Sequence, residues 1–243
     1  MFSKLFDALS GDRSELYTYP KGILRIPRGR SRKVSAPFDT IGHAGLGMKY
    51  LLDHYTFDTV LDVGSGTGRH AKCFEKFEKV VTRLDYGVAD TFTQGGETED
   101  VILTDILKFS SHRKWDCVWA SHIMEHQQNV GLFVSKLFEL TDEGGIVAIT
   151  VPPAKQRLVG GHLTMWNQGL IIYNCCIAGF DMRDAEVFRY GGNITMIVRK
   201  KSVEIPALGY CKGDIEMLQP YLPKGFRHGL DGSRIELLRH PMQ

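Results

Sequence analysis

Short runs of Val, Ile and Leu alternate with helical patterns along the central part of the chain, which predicts a mostly parallel sheet built from strand-helix-strand units. The predicted strands cover residues 59–63, 79–84, 101–103, 117–120 and 145–151, and the predicted helices cover 44–54, 69–77, 130–140 and 168–178. Two further strands, 185–189 and 194–199, flank Tyr190-Gly191-Gly192-Asn193 and indicate an antiparallel hairpin. We therefore expect an α/β fold with an open, seven-stranded sheet, helices on both faces and a C-terminal hairpin.

The pattern divides the chain into three zones. Residues 1–40 are basic and interrupted by Gly and Pro, which predicts an N-terminal arm. Residues 41–200 carry the α/β pattern, and residues 201–243 are predicted to form an extension packed on that domain, because four prolines interrupt any long element.

Composition excludes several classes of protein. The 243 residues are 43% hydrophobic and 24% charged, which is typical of globular proteins and not of collagenous or disordered chains. The net charge of +2 gives no global reason to expect a polyanionic partner. Five cysteines without CxxC spacing predict reduced thiols, no metal site and a cytoplasmic protein, and the absence of a run of about 18 apolar residues predicts no membrane span.

A glycine-rich loop follows the first predicted strand. Its pattern, Asp62-x-Gly64-Ser65-Gly66-x-Gly68, leads directly into a helix and brings a ligand close to bare backbone. A dinucleotide fingerprint would need glycine at position 69, where Arg69 stands. The loop instead resembles motif I of class I S-adenosylmethionine-dependent methyltransferases.

The resemblance extends from residue 59 to about 199 and implies a Rossmann-like methyltransferase fold with S-adenosylmethionine as cofactor. It implies that Asp85 accepts hydrogen bonds from the ribose hydroxyls and that Asp105 and Ile106 contact the adenine. Tyr86 could cover the adenine face, and Ser121, which ends the fourth strand, would line the same cleft. Each Asp could alternatively be a helix cap or turn residue, and Tyr86 could simply pack.

Methyl transfer to a hydroxyl usually needs a base, and three histidines follow predicted strands. His122 and His126 follow the fourth strand, His126 within a Glu-His pair that resembles the family pattern, and His162 lies in a glycine-containing loop after the fifth. Each could instead be structural. Trp166 in the same loop could stack on a sugar or aromatic acceptor, or be a core residue. The sequence favours His162 and Trp166 as the acceptor-side pair, followed by His122.

The expected function is O-methylation of a small molecule or saccharide. The Asn/Asp-Pro-Pro-aromatic signature of amino-methylating enzymes is absent after strand four, where Ser121-His122-Ile123-Met124 stands. Two alternatives stay open: a nucleic-acid methyltransferase that grips phosphate with the basic arm, and a non-catalytic cofactor-binding scaffold. In the small-acceptor interpretation, Arg28 and Arg30 of the arm would bind a charged substrate.

Overall fold

The computed structural model describes residues 34–88, 92 and 100–240 and contains a seven-stranded sheet. The strands are β1 (Thr59–Val63), β2 (Val80–Asp85), β3 (Val101–Leu103), β4 (Trp115–Ser121), β5 (Thr141–Val151), β6 (Glu186–Tyr190) and β7 (Asn193–Arg199). Their order is β3-β2-β1-β4-β5-β7-β6. All neighbouring pairs from β3 to β5 are parallel, whereas β7 pairs antiparallel with both β5 and β6.

Helices cover both faces of this sheet. They are α1 (Gly45–His54), α2 (Arg69–Glu75), α3 (Val130–Leu140), α4 (Gln168–Ile177) and α5 (Asp214–Leu218), with 3₁₀ turns at Met124–His126, Gln219–Tyr221 and Gly232–Arg234. Because side chains alternate along a strand, Val60 joins the core with α1 and α2 while Leu61 joins the core with α3 and α4. The predicted α/β fold with a mostly parallel sheet and terminal hairpin is therefore confirmed.

The strand order places one crevice at the carboxyl ends of β1 and β4. Connections from β1 run outward to β2 and β3, whereas the later strands lie on the other side of β1. Loops leaving β1 and β4 therefore diverge, and ligands of open α/β sheets bind at such a point.

One predicted boundary is wrong by four residues. The Asp-Glu-Gly-Gly sequence at 142–145 predicts a turn before the fifth strand, but β5 begins at Thr141. Thr141 pairs with Trp115, and the register then shifts before Cys117 pairs with Ile146. A bulge thus accommodates the glycines inside the strand.

The C-terminal residues that the structure describes contact the central domain. Leu218, Leu222 and Phe226 are buried in the same core cluster as α3 and α4. The backbones of Val187 and Leu237 exchange two hydrogen bonds, at 2.9 and 2.8 Å. The arm up to residue 33 and most of the connection from β2 to β3 lie outside the described residues.

Among the described residues, no helix combines the length and apolar character that crossing a membrane would require.

Candidate functional site

The glycine loop folds into a tight turn between β1 and α2. Gly64, Gly66 and Gly68 all have positive φ, at 73°, 50° and 75°, which L side chains rarely adopt. The amides of Gly64 and Ser65 donate to the carbonyl of Leu84, at 2.8 and 3.2 Å. A Cβ on Gly66 would meet no atom within 4 Å, so it would project into the space that a ligand on this loop would take.

Asp85, at the end of β2, is tied to this loop. Asp85 is only 8% exposed. Its Oδ2 accepts a hydrogen bond from the amide of Gly66 at 2.8 Å. Its Oδ1 accepts from the amide of Gly87 at 2.8 Å. Because each carboxylate oxygen has about two lone-pair sites, both oxygens can still accept from a pair of hydroxyl groups.

A buried acid and a buried arginine lie behind the loop. Asp62 on β1 is paired in register with Arg83 on β2, so both side chains share one face of the sheet. Burial raises the pKa of Asp62 to about 7, although the neighbouring guanidinium opposes the rise. Arg83 Nη2 donates to the carbonyl of Gly66 at 3.2 Å, and a Cβ on Gly68 would lie 2.7 Å from its Cζ. The positive φ favours glycine at position 68, and a Cβ there would also displace the guanidinium of Arg83.

Three buried polar atoms around the loop have no hydrogen-bond partner among the residues that the structure describes. They are Asp62 Oδ2, Ser65 Oγ and Ser121 Oγ. Buried polar groups are normally paired, so a cluster of unpaired ones at the crevice fits the binding of a polar ligand there.

The residues predicted on the adenine side have mixed surroundings. Asp105 Oδ1 accepts from the amide of Leu107 at 2.9 Å, which is the turn role that the sequence left open, and its second oxygen stays available. The side chain of Ile106 is buried in the core, which leaves its backbone for any ligand contact. Tyr86 is 62% exposed beside Asp85, so it does not pack in the core and can cover a ligand.

His122 follows β4 in the left-handed conformation, with φ 55°. Its Nε2 lies 2.8 Å from Asn193 Oδ1, an atom that only accepts, so Nε2 carries the hydrogen. Its Nδ1 lies 3.1 Å from Glu125 Oε1 without forming a hydrogen bond with that oxygen. The ring of His43, from the loop before α1, lies 4.5 Å away. A strained, non-glycine backbone held by several partners is typical of functional sites.

The other two predicted histidines meet next to the same glutamate. His126 Nδ1 lies 2.8 Å from the carbonyl of Gly161, and the rings of His126 and His162 stand perpendicular at 5.1 Å. The amides of Leu163 and Thr164 donate to the backbone carbonyl of Glu125, at 2.8 and 3.2 Å, which holds the loop against the turn after β4. The structure therefore brings His122, His126 and His162 together around Glu125.

The predicted acceptor-side residues are Trp166 and two arginines of the arm. Trp166 is 4% exposed, and its indole N–H donates to Thr164 Oγ1 at 2.9 Å. It packs as a core residue, which was the alternative that the sequence left open, and its contact with an acceptor stays a prediction. Arg28 and Arg30 lie outside the described residues.

Two cavities in the described residues lie away from the glycine loop. One of about 220 Å³ lies against α2 and is lined by Arg69, Lys72 and Lys76, among others. Another of about 420 Å³ lies around Arg199 and Lys200 on β7 and the segment that follows it. Neither is lined by the residues that the sequence predicts to bind the cofactor, so the candidate site is argued from the geometry of the loop and its side chains and not from a cavity.

Comparison with known proteins identifies the family of the chain that carries this site. Residues 17–182 match the family described as "Methyltransferase domain". The chain belongs to this methyltransferase family. The match includes β1 with its glycine loop, Asp85, and the histidines after β4 and β5. No curated protein matches the sequence.

Solved structures of methyltransferases share the fold at low sequence identity. A SAM-dependent methyltransferase from Archaeoglobus fulgidus has a TM-score of 0.54 at 14% identity, over 66% of this chain and 93% of its own. Human N-acetylserotonin methyltransferase in complex with SAM has a TM-score of 0.52 at 16% identity, over 68% of this chain and 54% of its own. A 1,6-didemethyltoxoflavin-N1-methyltransferase from Burkholderia thailandensis, solved with bound 1,6-didemethyltoxoflavin and S-adenosylhomocysteine, has a TM-score of 0.50 at 15% identity, over 76% of this chain and 98% of its own.

The methyltransferase is therefore an enzyme whose cofactor is S-adenosylmethionine, which confirms the expectations drawn from the glycine loop. The assignment of single residues to cofactor, acceptor and base stays a prediction.

Sequence reasoning missed several polar residues of the site. Asn193 is the first residue of β7, directly after the hairpin turn, and His43 belongs to a loop before α1, and neither has a local sequence signal. Arg83 lies within an apolar strand, where a charge is unusual and could have been noticed. Glu125 was visible in the Glu-His pair, but its contact with His122 depends on the turn after β4.

Proposed function

We propose that this methyltransferase transfers the methyl group of S-adenosylmethionine to a hydroxyl of a small molecule or saccharide, with His122 as the base. The observation that carries the proposal is the fixed orientation of His122 at the end of β4. Its Nε2 donates to Asn193, which leaves Nδ1 as the nitrogen that takes a proton. Glu125 Oε1 lies 3.1 Å from Nδ1, so the buried carboxylate would stabilise the imidazolium that forms when Nδ1 takes the proton.

The chain's own residues would hold the cofactor along the crevice. Gly66 and its neighbours would approach the amino-acid part, Asp85 would accept from the ribose hydroxyls, and Tyr86 would cover the adenine. Ser121 Oγ, buried without a partner among the described residues, would bind a polar group of the cofactor close to His122. This arrangement supports a methyl group directed toward the histidines after β4 and β5.

The chemical step is an in-line displacement. The acceptor oxygen forms a bond to the methyl carbon while the carbon–sulfur bond breaks. The electron pair of the carbon–sulfur bond stays on the sulfur. The hydroxyl proton passes to His122 Nδ1 and then to solvent. The products are a methyl ether, S-adenosylhomocysteine and one proton, so the protein mainly orients the reactants and excludes water.

Two further observations support His122 over the other histidines, and a small acceptor over a polymer. His122 is oriented by the side chain of Asn193 and lies 3.1 Å from Glu125, whereas His126 Nε2 lies 4.0 Å from that carboxylate and its ring faces the ring of His162. Two of the solved structures with the same fold are named as methyltransferases of small molecules, N-acetylserotonin and 1,6-didemethyltoxoflavin.

The test is methyl transfer from radiolabelled S-adenosylmethionine to a panel of monosaccharides, nucleotide sugars, phenols, amines and RNA. We expect label in a hydroxyl compound. His122→Asn should lower turnover by about 10²-fold or more and leave cofactor affinity within about twofold, because asparagine tolerates the left-handed backbone. His112→Asn, at an exposed site before β4, is the matched control and should keep full turnover. Label found only in RNA or amines, or full turnover by the folded His122→Asn variant, would contradict the proposal.

A further inference from the structure

We propose that Glu125, His126 and His162 form a binding site for one divalent transition-metal ion such as Zn²⁺. The three residues come from the turn after β4 and the loop after β5, and one ligand atom from each lies within 4.8 Å of the other two. No spacing motif in the sequence joins these segments, and only the fold brings them together.

Glu125 supplies the first reason. It is 0% exposed, and neither carboxylate oxygen accepts a hydrogen bond from any residue that the structure describes. Burying an ionised carboxylate without partners is strongly unfavourable, so such groups pair with a cation or coordinate a metal. The nearest cationic candidates are the rings of His122, at 3.1 Å, and His126, at 4.0 Å.

His126 supplies the second reason, because its tautomer is suited to a metal ligand. The carbonyl of Gly161 can only accept, so the ring hydrogen lies on Nδ1, which is 2.8 Å away. Nε2 then carries a lone pair and lies 4.0 Å from Glu125 Oε1. A backbone carbonyl that binds the distal nitrogen is the usual second partner of a metal-binding histidine.

The loop after β5 is held in place for the third ligand. Leu163 and Thr164, which follow His162, donate their amides to the backbone carbonyl of Glu125. Gly161 has φ 77°, and a Cβ there would lie 3.3 Å from His126 Nδ1, so glycine allows the loop to approach the ring. With ligand bonds of about 2.0 to 2.2 Å, the donor atoms must approach somewhat closer than 4.8 Å. The loop ring of His162 can rotate to achieve this, and the half-exposed ring of His126 can tilt while it keeps its hydrogen bond to Gly161.

The donor set indicates the class of ion. Two imidazoles and one carboxylate favour Zn²⁺ and similar transition metals over Mg²⁺ or Ca²⁺, which prefer oxygen ligands. Three protein ligands leave coordination positions open, as in catalytic rather than structural zinc sites. If the proposed function holds, these positions would orient the acceptor through an oxygen atom beside His122.

The alternative is that protonated His122 alone balances the charge of Glu125. The test is calorimetric titration of tag-free, EDTA-treated full-length protein with ZnCl₂, in the absence of cofactor and acceptor. We expect one Zn²⁺ per chain and a weaker response to MgCl₂. His162→Ala should weaken Zn²⁺ binding by at least about tenfold, whereas the exposed control His112→Ala should not change it.

A second measurement distinguishes the loss of a metal ligand from the loss of folding. The Co²⁺-loaded wild-type protein should show visible absorption that His126→Ala and His162→Ala lose while their circular dichroism stays unchanged. Absence of Zn²⁺ binding by the wild type, binding that both variants retain, or preference for Mg²⁺ would each overturn the proposal. Because the titration contains no methyl donor or acceptor, its result is independent of whether His122 acts as the base.

Discussion

His70, in the first turn of α2, has hydrogen-bond partners for both ring nitrogens. Nδ1 accepts from the indole N–H of Trp119 at 3.2 Å, so the ring hydrogen lies on Nε2, which is 3.1 Å from the carbonyl of His43. Burial lowers the pKa of His70 to about 4, and the rings of His122 and His43 act in the same direction. The fold therefore keeps this histidine neutral.

We expect His70 to make the protein sensitive to acid. Its pKa in the unfolded chain is near 6.5, so the unfolded state takes up the proton first as the pH falls. The stability is present above about pH 6.5 and is lost between there and about pH 4. Because the residue keeps partial exposure, we expect a loss of about 2 kcal/mol in the free energy of unfolding. Urea unfolding across this range should show a smaller loss in His70→Gln, and an equal loss would contradict the assignment.

Residues whose role depends on a local motif were predictable, and those whose role depends on distant contacts were not. Gly66 and Asp85 follow buried strands at fixed positions, so the sequence indicated both. Asn193 contacts His122 only because β7 is placed beside β5 and β4. The sequence around Trp166 does not tell whether its side chain packs in the core or binds an acceptor. The structure shows that the side chain is buried.

At the level of elements, α4 shows how one side chain fixes where a helix begins. Asn167 is its N-cap, and its Oδ1 accepts from the amide of Leu170 at 2.9 Å. Gly179 follows the helix with φ 101°, a left-handed conformation that is common for a glycine after a helix. The loop that carries His162 and Trp166 leads directly into this cap.

Asn167→Ala should lower the free energy of unfolding by about 1 kcal/mol, because the first turn loses its side-chain acceptor. Asn167→Asp keeps an acceptor and should restore most of the loss. Urea denaturation of the three proteins checks this. Equal stability of wild type and Asn167→Ala, or no recovery in Asn167→Asp, would argue against the capping role.

The boundaries of an element were predictable where its periodicity and the local turn propensity indicated the same residues. The helical period over 130–140 matches α3 residue for residue. The start of β5 was not predictable, since Asp142 and the two glycines have turn propensity. Pairing of Thr141 with Trp115 overrides that local preference.

For the whole molecule, the order of strands decides which loops lie next to one another. It places the glycine loop after β1, the histidines after β4 and the loop after β5 along one edge of the sheet. The sequence predicted that Ser121, at the end of the fourth strand, would line the same cleft as Asp85 and Asp105. It could not predict the cluster around Glu125, because that depends on how the loop after β5 returns to the turn after β4.

The most direct test of the central claim is calorimetric titration of the intact protein with S-adenosylmethionine and S-adenosylhomocysteine. We predict binding of both, and a loss of about 1.5 to 3 kcal/mol, or roughly ten- to a hundredfold in affinity, in Asp85→Asn. The loss follows because the amide retains only one acceptor oxygen for the ribose hydroxyls and the amide of Gly66. Asp142→Asn, exposed at the opposite end of β5, should bind like the wild type. No binding by the folded wild-type chain, or unchanged affinity in folded Asp85→Asn, would contradict the proposed cofactor site.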